Sequence, residues 1–468
     1  MLNFVHQLHW PLSAVEHGAL VLAGLLIYLT STRLTRQHRH PSAALAWVLT
    51  IGLLPYLGIP FYLLFGVRKV PRPLPSPIRS RPVGDDMLSN WAQGLSQALS
   101  LPAPTRNDDI VFQPNGRAAL ESLLDLIAQA RQHIDVCSFL LGNDETAAAI
   151  CKALGDAAQR GVKVRVMLDA LGSWSTSPPM FKSLRASGIE VRPFMPLLPN
   201  IRRGRVNLRN HRKLVVVDGR RVWSGGRNLA AEYFVGEAQN SAWADISFVV
   251  TGPLAAQARI LYEQDWQVAS GDLDEVDAEI AVLPPESPPH GDVAQWIPSG
   301  PDHAEDTAYA MLLAAAFRAE QRIVLISPYF VPDDALLSAW CMACRRGVRV
   351  TLVIPAKSNH RLADVARSPS LRSLMSSGAQ VMLYPRMLHA KAVIIDQELA
   401  LCGSTNLDSR SLFLNYELTT AFHGTKQIDW LADWAQGLIA ESRHAYWQRP
   451  SAARELLEGL VRIVGFQL

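Results

Sequence analysis

The feature that most constrains this chain is a motif that occurs twice with identical spacing. Both copies read His-x-Lys-x4-Asp-x6-Gly-(Gly/Ser)-x-Asn, first within residues 211–228 and again within residues 389–406. The matched positions are His211, Lys213, Asp218, Gly225 and Asn228 in one copy, and His389, Lys391, Asp396, Gly403 and Asn406 in the other. Such a match indicates an internal duplication and predicts a chain built from two similar halves.

Each half predicts the same alternation of helices and strands. It extends over residues 118–194 and again over 307–384, in both cases ending shortly before the motif. Alternating apolar strands and helices favour an α/β class, with helices covering a sheet in each half. Polar, Pro-rich stretches are typical of linkers. We expect an anchor at residues 1–67, a Pro/Arg-rich linker at 68–108, a first lobe at 109–283 and a second lobe at 284–468.

The first 67 residues predict a two-segment membrane anchor. Gly18–Thr30 is apolar, and Ser42–Val67 is uncharged and long enough to cross a bilayer, although its prolines would kink it. Arginines follow both segments, and two full crossings cannot place both basic stretches in the cytoplasm. Either the larger downstream cluster decides the orientation, or the second segment is re-entrant. Both arrangements leave the lobes cytoplasmic, and two full crossings would make the chain a multi-pass membrane protein.

Composition argues against two classes of protein. The net charge is only +3, which speaks against a nucleic-acid-binding surface. The five cysteines are an odd number in apolar surroundings, which favours reduced thiols over a disulfide framework.

The motif itself supports attack on a phosphodiester. A histidine two residues before a lysine on a strand places both side chains on one face. The imidazole can form a covalent phospho-enzyme, and the ammonium stabilises the charged phosphoryl oxygens. Two such sets facing each other supply a nucleophile on one side of phosphorus and a general acid for the leaving alcohol on the other.

Four acids are candidates for supporting roles. Asp245 and Glu417 each head a strand after one copy of the motif, so we expect them to orient the histidines through the second ring nitrogen. Asp218 and Asp396 belong to the motifs themselves. We count them with the catalytic groups, but their position before a turn fits loop capping equally well.

Other features predict the chemical surroundings. No His-x-His, His-Glu-x-x-His or Asp-x-Asp set adjoins either motif, and the lysines can supply the charge that a metal would supply. We therefore expect neither a metal nor a cofactor. The arginines of residues 201–213 are interpreted as a basic loop, either merely solvated or attracting anionic head groups.

The duplicated motif resembles that of the phospholipase D superfamily. The stretches GSTNLDSRSLFLNYE (403–417), SPYFVPD (327–333), RNHRKLVVVDG (209–219) and AWVLTIGLLPYLGIPFYLLFG (46–66) look like those of bacterial cardiolipin synthases. The resemblance covers nearly the whole chain. It implies two pseudo-symmetric phospholipase D-like lobes, each a mixed β-sheet flanked by helices, with both motifs meeting at one site.

The resemblance also implies a reaction. One phosphatidylglycerol would donate its phosphatidyl group through a phosphohistidine, and the hydroxyl of another would accept it, giving cardiolipin and glycerol. His211 would be the nucleophile and His389 the general acid/base, although the reverse assignment stays open. Lys213, Lys391, Asn228 and Asn406 would hold the phosphate, and Ser404 would add a hydroxyl from one lobe only, since Gly226 replaces it in the first copy.

Three alternative functions use the same residues. Water or another alcohol could replace the acceptor lipid, which would make the protein a hydrolase or a different phosphatidyltransferase. A nuclease shares the chemistry, but the charge and the apolar segments oppose it. A lipid-binding scaffold without activity does not need two intact motifs. The sequence leaves the oligomeric state open.

Overall fold

The computed structural model describes residues 14–34, 41–70, 90–197, 200, 205–236, 241–270, 288, 290–446 and 450–463. The chain divides into two compact units, residues 1–70 with 197–207, and residues 71–196 with 208–468. The predicted Pro-rich linker segments largely lie outside the described residues. All five cysteines are free thiols, as the sequence predicts.

The first unit contains three apolar helices, α1 (Ala14–Leu34), α2 (Pro41–Leu53) and α3 (Pro55–Phe65). Among the described residues, α1 is the one helix long and apolar enough to cross a membrane. The second apolar segment is not a continuous helix, because Leu54 between α2 and α3 has φ −135° and ψ 62°. Pro55 explains the break, since proline lacks an N–H and disfavours helical geometry in the residue before it.

Helices α2 and α3 fold back on each other. The rings of Trp47 and Tyr62 meet edge to face at 5.3 Å, at nearly equal distances along the chain from Leu54. Gly58 allows this approach, because a Cβ at its position would lie 2.7 Å from the Thr50 carbonyl oxygen. The two helices therefore form a hairpin whose tip is Leu54.

The second unit contains two large mixed sheets. The first has the strand order β2-β8-β7-β6-β3-β4-β5. Its strands are β2 (Asp109–Gln113), β3 (His133–Ser138), β4 (Lys163–Asp169), β5 (Glu190–Phe194), β6 (Leu214–Val217), β7 (Arg221–Gly225) and β8 (Ser247–Thr251). The helices along this part of the chain are α4 (Asn90–Ala98), α5 (Gly116–Ala128), α6 (Glu145–Gln159), α7 (Pro178–Ala186), α8 (Ala231–Phe234) and α9 (Pro253–Ser270).

The second sheet has the order β1-β9-β17-β15-β14-β10-β12-β13-β18, and β11 pairs separately with β16. The strands are β1 (Thr105–Asn107), β9 (Asp292–Ser299), β10 (Arg322–Ile326), β11 (Phe330–Val331), β12 (Arg349–Pro355), β13 (Gln380–Tyr384), β14 (Ala392–Ile395), β15 (Leu399–Gly403), β16 (Leu407–Asp408), β17 (Glu417–Phe422) and β18 (Arg443–His444). The helices are α10 (Thr307–Arg318), α11 (Asp334–Arg345), α12 (Arg361–Ala366), α13 (Ser368–Ser376), α14 (Ser409–Phe413), α15 (Thr425–Glu441) and α16 (Ala452–Ile463).

The two sheets share a seven-strand pattern. The order β9-β17-β15-β14-β10-β12-β13 matches the first sheet position by position. In both, the last three strands are parallel and the other neighbours are antiparallel. Each half has its own apolar core, centred on residues such as Leu123 and Trp223 in one and Leu336 and Trp340 in the other. The predicted α/β alternation is confirmed.

This topology places the motifs at matching edges. Leu214 of β6 pairs with Cys137, near the carboxyl end of β3, and Ala392 of β14 pairs with Ile326, at the carboxyl end of β10. His211 and His389 precede β6 and β14, so they lie at the sheet edge where α/β proteins place their sites.

Candidate active site

Two short main-chain bridges bring the motif histidines together with the other half of the molecule. Asn210 pairs with Tyr416, and Ala244 pairs with Leu388. The His211 amide donates to the Tyr416 carbonyl at 2.9 Å, and the His389 amide donates to the Ala244 carbonyl at 2.7 Å. Each bridge thus ends directly beside a residue that carries a carboxylate, Glu417 in one case and Asp245 in the other.

The carboxylates cross between the halves. His211 Nδ1 lies 2.9 Å from Glu417 Oε1, and His389 Nδ1 lies 2.7 Å from Asp245 Oδ2. Both acids are essentially unexposed. Each imidazole therefore has its Nδ1 on a carboxylate, which orients the ring so that Nε2 is the reactive nitrogen. The sequence identified the two acids, but not that each serves the histidine of the other copy.

The motif lysines lie directly beside the histidines. The histidine and the lysine of each copy were predicted to lie on a strand, but both precede it, since β6 begins at Leu214 and β14 at Ala392. Lys213 Nζ donates to the His211 carbonyl at 2.8 Å. Lys391 Nζ lies 2.9 Å from His389 Nδ1 and 3.0 Å from Nε2. The two lysines thus differ, because only the Lys391 ammonium contacts the ring of its own histidine.

Burial sets the charges of the resting site. It lowers the pKa of His211 to about 4 and that of His389 to about 3, despite the carboxylate beside each ring. Burial also lowers the pKa of Lys213 to about 8 and that of Lys391 to about 7. At neutral pH the imidazoles are therefore neutral, and the lysines titrate close to the working range.

The carboxylates remain ionised in this buried setting. Burial by itself raises the pKa of Asp245 and of Glu417, but interaction with the neighbouring histidine, including its hydrogen bond, and the lysine charges outweigh it, and both pKa values lie below the ordinary value. A phosphodiester anion bound between the rings would raise the pKa of every basic group around it.

Aromatic rings hold the two histidines in different surroundings. Tyr233 and Trp243 flank His389, with ring centroids at 4.9 Å and 5.7 Å. Phe139 meets the His211 ring edge to face at 5.1 Å. The Tyr233 hydroxyl accepts a hydrogen bond from Asn228 Nδ2 at 2.8 Å. Tyr233 was not predicted from the sequence, because it lies outside the repeated positions.

The asparagines of the motif reach the site with unsatisfied amide oxygens. Asn228 Oδ1 and Asn406 Oδ1 are both buried without a hydrogen-bond partner among the described residues. Buried amide oxygens usually accept a hydrogen bond, so these two are suited to a ligand group that donates one, such as a hydroxyl.

Ser404 and Gly226 support the acids rather than facing the histidines. The Ser404 hydroxyl donates to Glu417 Oε2 and accepts from the Leu418 amide at 2.9 Å. At Gly226, an added Cβ would lie 2.2 Å from Asp245 Oδ1. The Ser404 hydroxyl is thus already engaged by protein, which does not match the phosphate contact expected for it. The first copy has Gly226 because the carboxylate of Asp245 leaves no room for a side chain there. The second copy has Ser404, whose hydroxyl binds the longer Glu417.

Asp218 and Asp396 lie at the opposite ends of their strands from the histidines. Asp218 accepts hydrogen bonds from the amides of residues 131–133, and Asp396 accepts from those of residues 320–322. Both have positive φ, at 52° and 48°. Of the two roles open at the sequence level, the geometry matches loop capping, because neither carboxylate is brought beside the ring of His211 or His389.

The described residues contain no group of three or more His, Cys, Asp or Glu side chains that could hold a metal ion. The predicted basic loop also differs from expectation. Arg209 and Arg212 are 1% and 0% exposed, so they cannot attract head groups, and residues 201–204 lie outside the described part.

Comparison with known proteins places this geometry in a family. Residues 123–266 and 312–439 match the model described as "Cardiolipin synthase, PLD-like domain". The chain belongs to the cardiolipin synthase family of phospholipase D-like proteins. Residues 20–66 match a second model, "Phospholipase_D-nuclease N-terminal", which covers most of the three apolar helices.

Curated members of the cardiolipin synthase family align over most of their length. "Cardiolipin synthase A" of Pseudomonas putida (strain W619) is 32% identical over 405 residues, covering 81% of this chain and 83% of that protein. "Cardiolipin synthase" of Geobacillus thermodenitrificans (strain NG80-2) is 28% identical over 482 residues, covering 95% and 92%.

A solved structure shares the fold at low identity. The phosphatidylserine synthase of Haemophilus influenzae Rd KW20 superimposes with a TM-score of 0.62 at 15% identity, covering 81% of this chain and all of that one. At this identity the similarity speaks for the fold alone.

Two arginines of this family member were given no role in the site from the sequence, since Arg212 was counted only with the basic loop and Arg227 was not singled out. Arg212 stands between His211 and Lys213, and Arg227 stands beside Asn228. Both are buried, at 0% and 1% exposure. Both occupy variable positions of the motif, so the repeat itself could not single them out.

Proposed function

We propose that this chain is a cardiolipin synthase, which transfers a phosphatidyl group from one phosphatidylglycerol to another and releases glycerol. The observation that carries the proposal is the crossed pair of buried His–carboxylate units, one from each copy of the motif, in a member of this family. The substrates are phospholipids, and the protein is a phosphatidyltransferase.

In the first step, His211 Nε2 attacks the phosphorus of phosphatidylglycerol. A P–N bond forms, the bond from phosphorus to the glycerol oxygen breaks, and His389 gives its Nε2 proton to that oxygen. In the second step, the hydroxyl of another phosphatidylglycerol attacks phosphorus while His389 takes its proton. The P–N bond then breaks, and cardiolipin and free His211 result.

The lysine contacts support this division of labour. Lys391 Nζ lies 3.0 Å from His389 Nε2, so a proton can be delivered to this ring. Both lysines donate to the main-chain carbonyl of their own histidine, but Lys213 has no contact with the His211 ring, which leaves the Nε2 lone pair available for attack. Binding of the anionic substrate favours the protonated form of His389.

The phosphate is held by both halves. Lys213 and Lys391 neutralise the charge that develops on its oxygens, and the amide N–H groups of Asn228 and Asn406 donate hydrogen bonds to them. We propose that Asp218 and Asp396 support catalysis indirectly, by fixing the turns at the far ends of the motif strands, and that Ser404 acts through Glu417.

The shared strand order supports a pseudo-two-fold relation between lobes at residues 109–283 and 284–468. One detail modifies the boundary of the linker at residues 68–108. Its last residues, Thr105–Asn107, form β1 and pair with β9 of the second sheet. The end of the linker thus belongs structurally to the second lobe.

We further propose that residues 1–67 anchor the protein in the bacterial inner membrane and enter the bilayer twice. Helix α1 has 21 residues and spans about 31 Å, enough for one crossing. Helices α2 and α3 have only 13 and 11 residues, and each spans about 20 Å or less. As a hairpin with its tip at Leu54, they would enter and leave on the same side.

This re-entrant arrangement resolves the charge conflict in the sequence. Arg33 ends α1, and Arg68 and Lys69 follow α3. With one crossing and one re-entrant hairpin, both basic stretches face the cytoplasm, as the positive-inside rule requires. The lobes follow on the cytoplasmic side.

The test uses membranes that contain the full-length protein and labelled phosphatidylglycerol. We expect labelled cardiolipin and free glycerol, with turnover unaffected by a chelator. His211→Ala and His389→Ala should each lower turnover by about 10²–10⁴-fold or more. Phosphatidic acid as the only product would instead identify a hydrolase, and transfer to a different added alcohol alone would identify another phosphatidyltransferase.

A trapping experiment distinguishes the two histidines. With His389→Ala, the first step is slow but His211 can still become phosphorylated, so acid-labile label should accumulate on the protein. With His211→Ala, no label should be trapped. The opposite pattern would reverse the assignment.

A further inference from the structure

We infer that Arg212 and Arg227 are positioning residues that hold the main chain at the two histidine-orienting acids, and that the first lobe supplies this function for both halves of the site. The inference rests on the proposed function only for its assay. It concerns residues that lie between or beside the motif positions and touch neither histidine ring in the described contacts.

Arg212 connects the first lobe to Glu417. Its Nε donates to the Glu417 carbonyl oxygen at 3.1 Å, and its Nη1 binds both oxygens of Asp265 at 2.7 Å and 2.9 Å. Its Nη2 lies 3.4 Å from the Ser299 carbonyl and 3.4 Å from Asp302. The guanidinium is thus neutralised by acids of its own while it fixes the residue whose carboxylate holds His211.

Arg227 does the same for Asp245. Its Nη2 donates to the Asp245 carbonyl oxygen at 2.5 Å, its Nε to the Tyr233 carbonyl at 2.9 Å and its Nη1 to Ser247 Oγ at 3.0 Å. These acceptors are neutral. The nearest acid that affects Arg227 is Asp245 itself, so the guanidinium charge acts on the carboxylate that holds His389.

The second copy of the motif lacks both arginines. Ala390 stands at the position of Arg212, and Thr405 at that of Arg227. Thr419 matches Ser247 in strand register, and Thr405 Oγ1 bonds Thr419 Oγ1 at 2.8 Å where Arg227 bonds Ser247. The second lobe therefore repeats the polar contact without a charge, and both arginines come from the first lobe.

The two arginines should differ in one measurable respect. Removal of Arg212 loosens Glu417 and takes the counter-charge from Asp265 and Asp302, but Arg212 is not among the groups that lower the pKa of Glu417. Removal of Arg227 takes away a charge that lowers the pKa of Asp245, so that pKa rises. The acid limb of the activity profile then moves to higher pH. The groups that also face this pair are Lys391, Lys213, Tyr233 and Glu417.

The experiment measures kcat/KM against pH for full-length Arg227→Gln, Arg212→Gln and Arg165→Gln. Arg165 is the matched control, since it is a buried arginine of the same lobe that binds Asp135 and Glu263 but touches neither acid of the site. We expect losses of about 10–100-fold for the first two variants, the range found when groups that orient catalytic ligands are removed. Only Arg227→Gln should shift the acid limb.

Milder variants keep the test decisive if a glutamine variant folds poorly. Ser247→Ala removes one of the three acceptors of Arg227. Arg227→Lys keeps the positive charge but lacks the planar guanidinium that reaches all three acceptors. Both should lower the rate and leave the acid limb in place.

Ethylguanidinium should restore part of the activity of Arg227→Ala. Arg227→Gln combined with Asp245→Asn should cost less than the two single changes predict, because both act on the same pair.

Equal losses in all three glutamine variants, in proportion to the folded fraction and with unshifted profiles, would overturn the inference. Failure of the proposed function looks different. It would appear in the unmodified protein as turnover without cardiolipin, and the comparison of variants could still be made on that turnover.

Discussion

Gly226 and Ser404 occupy the same place in the two copies of the motif and are not interchangeable. The side chain of Asp245 is short, and a Cβ at residue 226 would lie only 2.2 Å from its carboxylate oxygen Oδ1. Glu417 is longer and receives a hydrogen bond from the Ser404 hydroxyl. The position of each carboxylate therefore depends on the small residue beside it. The motif written as Gly/Ser does not show this dependence.

We predict that Gly226→Ser lowers activity by about 10²-fold or more, because the new side chain displaces the Asp245 carboxylate from His389. The comparison is Gly437→Ser in α15, where a Cβ meets no atom within 4 Å. Initial rates of cardiolipin formation and the thermal unfolding midpoint would be measured for both. Wild-type rates in a well-folded Gly226→Ser protein would contradict the prediction.

The lysines predict a fall in activity on the alkaline side. Burial lowers the pKa of Lys391 from 10.5 to about 7 and that of Lys213 to about 8, so the ammonium charges are lost as pH rises through these values. The imidazoles lose their protons near pH 3–4 in the free site, so the nucleophile is available throughout. We therefore expect kcat/KM to decline above about pH 7.

Lys391→Arg tests the cause of this decline. A guanidinium stays charged at every accessible pH, so the alkaline limb should move to the pKa of Lys213, near 8, even though the maximal rate is lower. An unchanged limb in this variant would show that another group controls it.

At the scale of elements, the break at Leu54 separates two models of the anchor. Cysteines placed at Arg33 and Val67, in a protein whose own thiols are replaced, would be labelled in intact spheroplasts and in inverted vesicles. The hairpin predicts that both positions react from the cytoplasmic side only. Two complete crossings would place the two positions on opposite faces, and labelling from opposite sides would contradict the re-entrant arrangement.

The elements themselves were largely predictable, and the reasons are local. The alternation predicted for residues 118–194 and 307–384 is present, and its last strands end at Phe194 and Tyr384 as expected. Apolar periodicity and turn residues decide such boundaries within a few residues of sequence. The start of β6 was harder to predict, because the contact that holds His211 outside the strand comes from Tyr416, far along the chain.

At the scale of the molecule, the sequence could identify the members of the site but not their partners. Repetition singled out His211, His389 and their lysines, and parallel positions singled out Asp245 and Glu417. Which acid meets which histidine depends on how the two halves pack, and no local pattern encodes it. The role of Arg212 could not be predicted for a related reason. A buried arginine cannot be distinguished from a solvated one until its partner acids are located.

The crossed pairs also have a consequence for biosynthesis. The partner of His211 lies 206 residues downstream, at Glu417. At a translation rate of about 5–20 residues per second, the first lobe waits roughly 10–40 s on the ribosome before that carboxylate has been made. During that interval the nascent chain holds a histidine without its orienting acid. We therefore expect no turnover from a nascent chain that stalls before Glu417 has been made.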